Sequence, residues 1–269
     1  MLFVLSPAKR LDFSDHPLAS RATQPRMGED TAQLAVTTRR LTAPDLKKLM
    51  HLSDDLAKLN RERFKAFDSE REGDLPAALA FAGDVYQGLK ARDLDPAGMD
   101  WAQDHLRILS GMHGVLRPLD AIQPYRLEMG TKLSTRRGRD LYAFWGDRIA
   151  DRLDADLEGQ AEAAIVNLAS EEYFGAVDRK ALKAPVVEAR FEEEKDGERR
   201  VLSFFAKQAR GLMARWAIDQ RVERSADLKG FDQANYRIDK AASKDGALVF
   251  WRPQPEPVAA QRARAKTGA

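Results

Sequence analysis

Leu2-Phe3-Val4-Leu5-Ser6-Pro7-Ala8-Lys9 is a four-residue apolar run stopped by a Ser-Pro turn. A short apolar run bounded by turn residues reads as a strand buried on both faces. Leu106-Arg107-Ile108-Leu109-Ser110-Gly111 and Ala163-Ala164-Ile165-Val166-Asn167-Leu168 repeat the pattern, each ending in small or polar residues. Val186 to Glu194 alternates, Lys195-Asp196-Gly197-Glu198 supplies a turn, and Arg199 to Phe205 reads as the returning strand. Ala247-Leu248-Val249-Phe250-Trp251 is a last strand.

Helical spacing lies between these runs. Leu46, Leu49, Leu52, Leu56, Leu59 and Phe67 recur on one face between Leu41 and Phe67. Thr42-Ala43-Pro44-Asp45 resembles a cap with proline in the first turn, and Ser53-Asp54-Asp55 is suited to opening a second helix. A long amphipathic helix is expected from about Ala206 to Val222. Residues 14–30 read as a surface loop. Strands and helices interleave without a regular βαβ repeat. The expectation is therefore α/β: a single mixed-sheet domain with interleaved helices over residues 1–251, helical around 40–100, and a disordered tail over 252–269.

Composition narrows the function. The chain has 269 residues, 44 Lys plus Arg against 42 Asp plus Glu, and a net charge of +2. An anion site must then come from local clustering rather than bulk charge. With no cysteine, disulfide scaffolds, thiolate metal sites and cysteine nucleophiles are excluded. The four histidines, at 16, 51, 105 and 113, show no ligand spacing, and neither metal nor cofactor is expected. The N-terminus lacks the basic segment and long apolar run of a signal peptide. No stretch has the roughly 18 apolar residues of a spanning helix. A cytoplasmic protein with no membrane partner is the expectation.

No standard catalytic signature is present, so candidate sites come from local chemistry. Lys9 follows a strand directly and suits an anion contact or an amine nucleophile, as well as an ordinary surface role. Asp84, in Gly83-Asp84-Val85-Tyr86-Gln87-Gly88, suits a general base or a helix N-cap. Gly111 and Gly114, around His113 and followed by Arg117, resemble a turn that offers backbone N–H groups to a phosphate, or a tight turn after a core strand. Gln123 to Lys132 alternates like an edge strand. There Arg126 and Lys132 could hold phosphate, Tyr125 could stack on a base, and Glu128 could position a hydroxyl or act as acid or base. Ser170 is a natural helix N-cap at a strand end, where α/β proteins also place ligands. Lys207 and Arg210 are three residues apart in what reads as a first helical turn, where free N–H groups would add to an anion site.

Together these stretches resemble the YaaA peroxide-stress family. The resemblance is carried by Ser6-Pro7-Ala8-Lys9 with Leu11-Asp12-Phe13, Gly83-Asp84-Val85-Tyr86, Leu109-Ser110-Gly111 through Gly114-Val115-Leu116-Arg117-Pro118-Leu119-Asp120, and Gln123-Pro124-Tyr125-Arg126-Leu127-Glu128-Met129-Gly130-Thr131. Phe144-Trp145-Gly146-Asp147, Asn167-Leu168-Ala169-Ser170 with Glu172-Tyr173, and Ala206-Lys207 with Ala209-Arg210-Gly211 complete it. Seven motifs in register from residue 1 to about 251 are far more specific than any one alone. The resemblance implies a cytoplasmic bacterial protein that helps cells survive hydrogen peroxide by limiting free iron and protecting DNA. It also implies a family-specific mixed α/β fold, a positively charged cleft and a DNA-binding helix-hairpin-helix element, placed here at Gly111–Arg117.

Two functions follow. The first is a protein that binds double-stranded DNA with little sequence preference, using Gly111, His113, Gly114, Arg117, Arg126, Lys132, Ser170, Lys207 and Arg210. The second is an enzyme on nucleic acid or nucleotides, glycosylase- or lyase-like, with Lys9, Asp84, Tyr125 and Glu128 as catalytic candidates. Convergence of those four in one pocket would favour the enzyme.

Overall fold

The computed structural model describes residues 1–255. Ten strands form: β1 Leu2–Leu5, β2 Leu75–Pro76, β3 Leu106–Ser110, β4 Gly114–Leu116, β5 Ala121–Ile122, β6 Ile165–Leu168, β7 Val186–Lys195, β8 Glu198–Arg200, β9 Arg237–Ile238 and β10 Ala247–Pro253. Among the described residues ten α-helices accompany them: α1 Gly28–Thr38, α2 Ala43–Met50, α3 Asp54–Ala66, α4 Ala77–Ala80, α5 Asp84–Leu89, α6 Pro96–His105, α7 Leu141–Trp145, α8 Arg148–Leu157, α9 Glu171–Phe174 and α10 Ser203–Gln220.

Eight strands make one mixed sheet in the order β4-β3-β1-β6-β7-β10-β9, with β8 paired to β7. β3, β1, β6, β7 and β10 run parallel, while β4 and β9 are antiparallel edges. β1 is the centre: Leu5 pairs with Ile108 on one side and Leu168 on the other. All four of its residues are buried. A continuous apolar run, not an alternating one, is what a strand covered on both faces requires.

The helices start where the sequence supplies caps. Thr42 and Asp45 close a reciprocal capping box on α2. Ser53 accepts from the Leu56 N–H at the start of α3, so the apolar spacing of Leu41–Phe67 belongs to two helices, not one. His51 ends α2 in the left-handed region, at φ 52°. α10 packs on α5 with backbone touching backbone, since a side chain at Gly211 would collide with the Val85 carbonyl and one at Gly88 with the Gln208 carbonyl.

Several expectations are corrected. The expected surface loop at 14–30 contains a short 3-10 turn at Pro17–Arg21 and the start of α1. Val201 to Phe205 does not continue the hairpin, because α10 begins at Ser203. Residues 123–132 form no strand. Gly111–Arg117 is no helix-hairpin-helix: it is the β3–β4 hairpin, with Ser110 paired to Gly114. β10 also extends past Trp251, pairing Arg252 with Glu193 and Pro253 with Glu194. The rest of the expected tail, from residue 256, lies outside the described residues.

Candidate functional site at the strand ends

In parallel sheets the carboxyl ends of neighbouring strands open onto a shared crevice. Here β3, β1 and β6 end side by side, β3 at Ser110 and the other two just before Ser6 and Ser170. The Ser6 hydroxyl oxygen accepts from the Ser170 N–H at 2.9 Å and lies 3.3 Å from the Ser170 hydroxyl. Ser170 in turn caps α9 by accepting from the Tyr173 N–H at 3.4 Å. Tyr86 donates its hydroxyl to the Ser6 carbonyl at 3.1 Å. The Ser110 and Tyr125 hydroxyls share a 2.6 Å hydrogen bond.

Lys9 follows on a loop laid along α4 and the turn before α5, where Ala82 N–H donates to the Arg10 carbonyl and Asp12 N–H to the Ala80 carbonyl. A side chain at Gly83 would sit 3.0 Å from the Ala8 Cβ, so this glycine lets the two turns meet. Lys9 reaches Glu128, with Nζ 2.6 Å from Oε2. Arg126 holds the other oxygen, Nη2 at 2.9 Å and Nε at 3.1 Å from Oε1. Burial pushes the Glu128 carboxyl up, but hydrogen bonds and charge from Lys9 and Arg126 outweigh it and hold it below its ordinary range. Arg63 of α3 adds a third cation. Burial first, then the facing Arg126 guanidinium, lowers its pKa.

Glu128 also opens onto a groove of about 850 Å³ between α2 and the 130–134 loop. Leu41, Leu49, Met50 and Leu133 give it apolar walls, and its polar lining mixes Lys48, His51 and Lys132 with the carboxylates Asp45 and Glu172.

The other candidates separate into those that join this site and those that do not. Tyr125 is 5% exposed, set edge-on to Phe81 and His113. Burial raises its phenol, and those of Tyr86 and Tyr173, far above the ordinary value. Tyr125 is thus a neutral support, not a surface on which a base could stack. His113 is 4% exposed and burial drives it to about 3. Gly111 is closed in by the Leu127 carbonyl and Gly114 by Met27 and Trp145. None of these three reaches a phosphate. Arg117 is held by Asp120 at 2.7 Å and by the Thr23 hydroxyl and Gln24 carbonyl at 3.2 Å.

Asp84 is the first residue of α5, after the N-cap Gly83, and forms no ion pair among the described residues. Lys207 and Arg210 lie beyond the first turn of α10, so the free N–H groups at its start take no part. Lys207 is exposed. Arg210 keeps its Nε buried without a partner, and burial lowers its pKa despite the charges of Glu171 and Glu188. Lys9, Glu128 and Arg126 are therefore in contact; Tyr125 lies in the supporting core and Asp84 is not engaged.

Sequence reading missed Ser6, Tyr86 and Arg63 as site-forming residues. Ser6 and Tyr86 stand inside quoted motifs, beside the residues chosen. Arg63 carries no local signal, because its role depends on α3 folding against the Arg126 loop.

The description "Peroxide stress protein YaaA" matches residues 1–242. A UPF0246 protein of Phenylobacterium zucineum is 61% identical over 262 residues, covering 97% of this chain and 98% of the relative. UPF0246 proteins of Caulobacter vibrioides and Maricaulis maris are 58% and 57% identical over 255 residues, covering 95% of this chain and 100% and 97% of theirs. Matches of that extent leave one conclusion: the chain belongs to the YaaA family of peroxide stress proteins.

Proposed function

We propose that this protein binds double-stranded DNA in the cytoplasm, largely independently of sequence, and thereby limits DNA damage and free-iron harm during peroxide stress. One observation carries the reading. Lys9 and Arg126 meet on the Glu128 carboxylate at the strand ends, and Arg63 lies near enough to Arg126 for the two charges to repel, so three cations stand together in one crevice. Guanidinium groups suit phosphate oxygens because they donate two hydrogen bonds at once. The groove beside Glu128 adds Lys48 and Lys132, set among the carboxylates Asp45 and Glu172. One wall is α2, which with α3 and the three-residue link His51–Ser53 makes a helical hairpin. That hairpin, rather than Gly111–Arg117, is the better candidate for a helix-hairpin-helix-like element.

Fluorescence anisotropy with a labelled duplex of random sequence tests the proposal. Affinity should fall linearly on a log–log plot against salt, with a slope near −0.9 per phosphate neutralised. A salt-independent affinity, or none at low salt, would refute it.

A second reading, an enzyme acting on damaged nucleic acid, draws on the position of Lys9 beside Glu128 and the Ser6–Ser170 pair. Lys9 would have to leave Glu128 and lose its proton before attacking a sugar C1′. Borohydride should then trap a Lys9–DNA adduct that disappears in Lys9→Ala. If no damaged duplex yields an adduct, binding alone remains.

A further inference from the structure

Asp156, near the end of α8, is buried and holds three arginines at once. Its Oδ1 accepts from Arg26 Nη1 at 2.5 Å and Arg152 Nη2 at 2.6 Å, and its Oδ2 from Arg107 Nε at 2.5 Å. Arg117 stands close enough to Arg107 to perturb it and has its own carboxylate, Asp120. Four guanidiniums thus share two carboxylates.

Part of the imbalance falls on Arg107, which has little solvent to screen it. Arg107 is 3% exposed, and its Nη1 is used up on the Gln103 and Leu106 carbonyls. Burial pushes its pKa down; Asp156 opposes this, while Arg26 and Arg117 add to it. Arg152 keeps its Nε buried with no hydrogen-bond partner. Arg26 and Arg152 meet at one carboxylate oxygen and are 39% and 28% exposed, so both reach solvent from the same point. Paired guanidiniums with spare donors and an excess of two charges match the geometry and charge of a tetrahedral dianion.

We infer that Arg26 and Arg152, backed by Arg107 and Arg117, form a second oxyanion site that takes a phosphate group. It is built on β3, α8 and the segment before α1, and shares no residue with the Lys9–Glu128–Arg126 crevice. The phosphate could be free or belong to a DNA backbone.

Calorimetric titration with inorganic phosphate at constant ionic strength tests the inference. Phosphate should bind the full chain, sulfate should compete, and Arg26→Gln or Arg152→Gln should weaken binding at least tenfold. Asp156 keeps two guanidiniums in either variant, so folding should survive; circular dichroism checks it, and Arg26→Gln decides alone if Arg152→Gln does not fold. Anisotropy with duplex DNA, run on the same variants, separates the sources. Weakening of both ligands marks a backbone phosphate, and weakening of inorganic phosphate alone marks a free one; either supports the site. No phosphate binding at about 10 mM, ten times a Kd of about 1 mM, or equal binding by wild type and both variants, would overturn it and leave the cluster as a structural staple.

Discussion

Lys9 Nζ rests 2.6 Å from Glu128 Oε2 while Arg126 grips the other oxygen, so one carboxylate occupies two cations that a phosphate would also use. Replacing Glu128 with Gln removes that competing charge. Duplex affinity should rise and its salt dependence steepen by about one unit of log–log slope. Anisotropy titrations between 50 and 200 mM salt provide the check, and a loss of affinity would show instead that Glu128 positions the cations for DNA.

Arg126→Ala and Arg63→Ala should act in the opposite direction. Each removes one phosphate contact and should flatten the slope by about 0.9, which between 50 and 200 mM salt amounts to roughly a 3.5-fold change in relative affinity. Arg117→Ala should leave the slope alone unless the second oxyanion site also contacts DNA.

His113 makes stability depend on pH. Its folded-state value is about 3, against 6.5 for the free side chain, because burial disfavours the imidazolium. Above pH 6.5 both states are neutral and nothing is lost. Below it the unfolded chain takes up a proton that the folded chain refuses, and stability falls by about 1.4 kcal/mol per pH unit until about pH 3. Urea denaturation at pH 7.5 and pH 5 should show this loss, and His113→Gln should reduce it.

Gly211→Ala drives a methyl group into the Val85 carbonyl at the crossing of α5 and α10. Overpacking of this kind costs about 3 kcal/mol, or roughly 6–12 °C in Tm for a chain of this size. Gly28→Ala, where a Cβ meets nothing within 4 Å, is the control and should leave Tm unchanged or slightly higher. Thermal melts of the two variants separate packing from a general dislike of losing glycine.

The strands that position the site were legible because burial on both faces leaves short, mostly apolar runs, broken only by Arg107 and Asn167 in the second and third. Leu2–Leu5, Leu106–Leu109 and Ile165–Leu168 announce themselves in this way, and Ser53 and Ser170 mark helix starts by their own chemistry. Tyr125 misled because alternation from Gln123 to Lys132 also fits a loop pinned at intervals by its apolar residues. Leu127 and Met129 are buried as in a strand, yet no neighbouring strand is there to pair. Gly111 and Gly114 misled because a close backbone approach reads the same whether the neighbour is a phosphate or the Leu127 carbonyl. Arg210 was visible as a cation, but its buried, partnerless Nε follows from how α10 lies, which no local spacing encodes.

The central place of β1 sets an order of events during synthesis. Leu2–Leu5 leave the ribosome well before either of their hydrogen-bonding neighbours, around residues 106–110 and 165–168. At about 5–20 residues per second, the second neighbour follows after roughly 10–30 s. Throughout that interval an apolar segment that ends fully buried has no sheet to join, which makes it a natural client for a chaperone at the tunnel exit.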